Sequence, residues 1–73
     1  MKYEMKYAMI SALIKDCHAK IAMAKCNVDA FFETPCGVGD HPNIMETIQE
    51  QLDVISQNRD RLSVLQETFD GED

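Results

Sequence analysis

Nine apolar residues recur at alternating steps of four and three between Tyr3 and Phe31: Tyr3, Tyr7, Ile10, Ile14, Cys17, Ile21, Ala24, Val28 and Phe31. That spacing places all nine on one face of an α-helix. No Gly or Pro interrupts the run before Pro35, and its Ala, Met, Leu, Lys and Glu residues favour helix. The pattern predicts helix 1 over about 3–33. Asn27-Val28-Asp29 is the place where it can break, because Asn and Asp side chains compete for nearby backbone groups.

The segment 34–42 holds both prolines and two of the three glycines. Pro35 ends the preceding helix, so the segment is read as a hairpin turn. Helix 2 is expected over about 42–69. Its start is assigned to the Asp40 region with Pro42 in the first turn; the competing reading caps it at Asn43 with Glu46 closing a capping box. Its expected core is Ile44, Ile48, Leu52, Ile55, Leu62, Leu65 and Phe69. The opposite face carries Glu46, Glu50, Asp53, Gln57, Asp60 and Glu67, with Val64 as its apolar exception. Gly71 terminates the helix, leaving a frayed acidic end over 70–73. The whole of 1–73 is thus expected to be one all-α domain, an antiparallel helical hairpin.

A single hairpin does not satisfy helix 1. Met5, Ala8, Ala12, Lys15, Ala19, Ala22 and Cys26 form a second stripe, which Met9, Leu13 and Met23 widen. A helix apolar over most of its circumference needs more than one neighbour. The chain has 73 residues, and a chain this short buries only about 60–65% of its extended surface, so disulfides, a metal or self-association usually complete it. The expected solution is a homodimer that closes a four-helix bundle. Met5, Ala8, Met9, Ala12, Ala19, Ala22 and Met23 form its interface, burying about 1,500 Å² or more in total.

Length excludes a Rossmann domain, a barrel or a two-domain enzyme. The three cysteines are an odd number, which does not suit a secreted disulfide framework. The longest apolar runs, 8–10 and 12–14, fall far short of the roughly 20 residues of a membrane span. No signal-peptide pattern is present, and the expected compartment is the reducing cytoplasm, with free thiols. Net charge is −6 and is concentrated in the second half, which argues against nucleic-acid and membrane partners.

Four features invite chemistry. Cys26, Cys36 and His41 near the turn suggest a minor thiol or metal site, but their spacing lacks the compact CxxC of structural zinc sites. A Cys36–His41 nucleophile pair would need an orienting group and a pocket. The glycines of 36–41 read as a turn, since neither a strand nor a Lys-Ser/Thr accompanies them. The carboxylates of helix 2 lack the Glu-x-x-His of carboxylate-bridged metal bundles and read as a solvated face. These readings predict a non-enzyme with no metal and no cofactor.

Asn58 and Arg59 interrupt the stripe of helix 2. They are read either as a polar layer that sets register or as Arg59 snorkelling from the core edge. Phe32, beside Phe31, cannot share its seam and is expected to be an exposed contact for a protein partner. Lys2, Lys6 and Lys20 line one edge of helix 1 as a candidate nucleic-acid edge. In shape the expected hairpin dimer resembles Rop, a family of small plasmid RNA-binding regulators whose helix 1 surface contacts paired RNA loops. That resemblance is one of architecture alone and transfers no residue. The leading expectation is a non-catalytic interaction or adaptor module, with a Rop-like regulator as the alternative.

Overall fold

The structure, a computed structural model, describes residues 2–33 and 41–69, with side chains over 4–33 and 43–69. Lys2–Glu33 form α1 and His41–Val64 form α2. Leu65–Phe69 continue α2 as a π-helical turn. At 1.5 Å per residue the 32 residues of α1 span about 48 Å. The two helices pack along their length as an all-α antiparallel hairpin, 57 × 16 × 13 Å in extent. Those two short dimensions are the cross-section of one helix pair.

Ile10, Cys17, Ala24 and Val28 of α1 and Ile48 of α2 are buried, and Ile14, Ile21 and Phe31 are half-buried. The first stripe therefore faces α2. Tyr7 departs from it and is exposed; Tyr3 lies outside the residues whose side chains are described. The α-helix passes unbroken through Asn27-Val28-Asp29. Asn27 does not turn onto its own backbone but donates from Nδ2 to Gln51 Oε1 at 3.2 Å, across the seam. Replacing Asn27 with Ala is expected to lower unfolding free energy by no more than about 1 kcal/mol, as a solvent-exposed bond should, measured by urea denaturation.

The start of α2 at His41 puts Pro42 in the first turn. Asn43 is inside the helix, where its carbonyl accepts from Thr47 Oγ1 at 2.9 Å, so the alternative cap at Asn43 is overturned. Asp40 and the rest of the turn, 34–40, lie outside the described residues, as do 70–73.

The face that α2 presents to α1 differs from its apolar pattern. Leu52, expected in the core, is 50% exposed, and Phe69 is also exposed. Asn58 is buried, Gln51 and Val54 are half-buried, and Ile44, Ile55, Leu62 and Leu65 are half-buried as expected. The centre of the seam follows Ile44, Gln51, Asn58 and Leu65, every seventh residue. Two of these four are polar, so hydrophobicity alone displaces the apparent face onto Leu52. At Phe69 the cause is the π-turn, whose wider winding carries the last residue off the line of Ile48, Ile55 and Leu62.

Asn58 is 3% exposed. Its Nδ2 donates to Val54 O at 2.8 Å, one turn back on the same helix, while its Oδ1 is buried without a hydrogen-bond partner. The polar layer consists of Asn58 without Arg59, which is exposed beside it.

Candidate interaction surfaces

The second stripe of α1 is open. Ala8, Ala12, Ala19, Ala22 and Cys26 are exposed, as are Met5 at 63%, Met9 and Met23 at 60%. Helical periodicity explains why. Ala8, Ala19 and Cys26 lie nearly opposite Cys17 and Val28, and Met5 and Met23 lie to one side of them. Only Lys15 and Asp16 break the stripe at mid-length, one at each edge. The face is therefore long, apolar and shallow. Its small residues let another helix approach closely, while its methionines supply adaptable bulk.

Phe32 is 70% exposed at the turn end of α1. Its neighbour Phe31 takes the seam, as expected of two adjacent aromatics 100° apart around the helix.

The lysine edge is less basic than its composition suggests. Lys20 Nζ lies 2.9 Å from Asp16 Oδ2, an exposed pair one turn apart that offsets much of the Lys20 charge. Lys6 Nζ sits 5.9 Å from the centre of the Tyr7 ring, at the outer limit of a cation–π contact. The side chain of Lys2 lies outside the described residues.

An open groove of about 390 Å³ runs beside the seam, lined by Leu13, Asp16, Cys17, Asp60, Arg61, Val64 and Leu65. Sequence periodicity does not reveal it, because it lies between elements. The chemistry it offers is limited. Cys17 is a buried free thiol at its floor, flanked by Asp16 and Asp60 of one sign and Arg61 of the other. Among the described residues no imidazole lines it. His18, next in sequence to Cys17, projects about 100° away around α1 and is exposed.

Cys26 is a free, exposed thiol. Cys36 and the side chain of His41 lie outside the described residues, so the proposed trio near the turn is represented by Cys26 alone. Among the described residues no three His, Cys, Asp or Glu side chains are grouped to hold a metal ion, and no helix is long and apolar enough to cross a membrane.

Comparison with protein-family models, with curated proteins and with solved structures finds no match. The described residues form a small all-helical hairpin in which no metal-holding group is assembled and many large apolar side chains are exposed.

Proposed function

We propose that this chain is a non-catalytic helical interaction module that works as a homodimer, with the second stripe of α1, which faces away from α2, buried against the same stripe of a second hairpin in a layered four-helix assembly. The observation that supports this reading most is the open apolar stripe of α1, which α2 does not cover.

Met5, Met9, Leu13 and Met23 are each at least half exposed on that helix, beside the open alanines. At about 25 cal/mol per apolar Å² their burial outweighs any surface ion pair, which contributes about 0–1 kcal/mol. Association entropy offsets much of the gross gain, yet apolar packing still contributes most to holding two copies together. A reducing cytoplasm suits the free thiols and completes the proposal.

Thiol labelling tests it on the unmodified chain. Cys26 is on the proposed contact face and Cys17 is in the hairpin seam. Raising protein concentration is expected to slow maleimide modification of Cys26 by about tenfold or more, as burial removes thiolate access, with Cys17 slow throughout. Peptide mapping by mass spectrometry resolves the sites. Concentration-independent, rapid modification of Cys26 would count against this interface.

A further inference from the structure

Two lines of side chains lie beside one another on the flank of the hairpin opposite the groove. His18, Lys25 and Phe32 recur every seven residues on α1; Met45, Leu52 and Arg59 do so on α2. Seven residues make nearly two helical turns, so each trio runs along its helix as a line. The groove marks the other flank, with Leu13 and Asp16 meeting it from α1 and Arg61 and Val64 from α2. The antiparallel register, anchored by Asn27 and Gln51, brings Phe32 level with Met45, Lys25 with Leu52, and His18 with Arg59.

All six side chains are exposed. The flank is apolar near the turn, where Phe32 and Met45 are 70% and 51% exposed, and becomes basic toward mid-length. The two lines contain no carboxylate, in a chain whose net charge is −6; the exposed Asp29 stands beside them on α1, one turn from Lys25 and from Phe32, so the flank sets Lys25 and Arg59 against one acid. The acids of α2 follow a separate line, Glu46, Asp53, Asp60 and Glu67, on its outer side.

We propose that this flank docks an acidic amphipathic α-helix from a partner protein. Apolar side chains of such a helix at i, i+3 or i+4, and i+7 would cover Phe32, Met45 and Leu52, while its carboxylates meet Lys25 and Arg59. The distance along α1 from Phe32 to His18 is about 21 Å, which four turns of a partner helix span. Charge complementarity selects a different chain over a second copy. Two-fold mating of this flank with itself sets Lys25 and Arg59 against the same cations and leaves the α2 acids of both copies outside. The inference rests on the reading of the chain as a non-catalytic interaction module, but it uses a different face from the self-contact, so either can fail alone.

The test is a fluorescence-anisotropy titration with a labelled designed helix of about 18 residues, with leucines on one face and glutamates flanking them. Its counterpart carries Lys at every Glu. The acidic helix is expected to saturate at micromolar concentration, and the basic counterpart to bind at least about tenfold more weakly. Phe32→Ala, Lys25→Glu and Arg59→Glu, all at exposed positions, are each expected to weaken the acidic helix by about fivefold or more, with helical circular dichroism unchanged. Ala12→Glu, on the far face of α1, is expected to leave this binding intact while removing self-association.

Lack of saturable binding below about 1 mM, where a helix-in-groove contact would still register, overturns the proposal. So does equal affinity for the basic helix, indifference to all three flank variants, or tighter binding of an RNA duplex or of anionic vesicles at this flank.

Discussion

Ala12→Glu is expected to convert the proposed dimer into a monomer, and Ala19→Glu to do the same. Both alanines lie on the open stripe of α1, and in a two-fold assembly each substitution enters the contact twice. A carboxylate confined there without a partner loses several kcal/mol of hydration per copy. The expected loss of dimer affinity is therefore about a thousandfold or more, since each 1.4 kcal/mol is a factor of ten. The folding of the separate hairpin is a minor contributor. Both positions are exposed in it, and Glu costs only a few tenths of a kcal/mol of helix propensity relative to Ala. Ser56→Glu supplies the control: it is exposed and lies on α2, away from the stripe of α1. Light scattering should give the monomer mass for both alanine variants and the parent mass for Ser56→Glu. An unchanged mass for Ala12→Glu and Ala19→Glu would remove the stripe from the interface.

Asn58 supplies the second large effect, with a different sign for each of two substitutions. The buried side chain satisfies its amide nitrogen on Val54 O but leaves Oδ1 unpaired. A buried polar atom without a partner costs about 1–3 kcal/mol. Asn58→Leu removes that cost, keeps the number of side-chain heavy atoms and adds apolar burial, while its bulkier methyl groups set a packing cost against the gain, so it is expected to raise the unfolding free energy by about 1 kcal/mol. Asn58→Asp puts a carboxylate in the same enclosed site and is expected to destabilise by about 3 kcal/mol or more at neutral pH. Denaturation with urea at one protein concentration measures both, because the proposed self-association would make apparent stability depend on concentration. Destabilisation by Leu would show that Oδ1 is satisfied in solution or that the packing cost outweighs the gain. We expect the stabilised Leu variant to lose register definition, the role best attested for a lone polar residue in a helical seam. Broadened amide resonances in α2 would report that loss, and sharp, singly populated ones would contradict it.

The first stripe makes the hairpin legible. Ile10, Cys17, Ala24 and Val28 identify the inward face of α1 by spacing alone, and their burial matches it. The open second stripe is equally readable, since Ala8, Ala12 and Ala19 cannot share a face with Cys17 and Val28. Helix 2 is harder to orient, for a physical reason. Its seam runs through Gln51 and Asn58, so counting apolar residues assigns Leu52 inward when the backbone turns it outward. Local composition also misleads at Asn27, whose amide reaches Gln51 instead of breaking its own helix. The groove beside Cys17 and the basic flank formed by Lys25 and Arg59 depend on which residues of the two helices come level. That register is a property of the pair, marked by the Asn27–Gln51 contact across the seam, and neither helix carries it alone.

Sedimentation equilibrium of the unmodified chain, run from low micromolar to millimolar concentration, tests the central claim that the far side of α1 is covered by another copy. The expected mass rises with concentration toward about twice the 8.3 kDa of one chain. A mass that stays at one chain throughout, with a cooperatively folded hairpin, would contradict that claim.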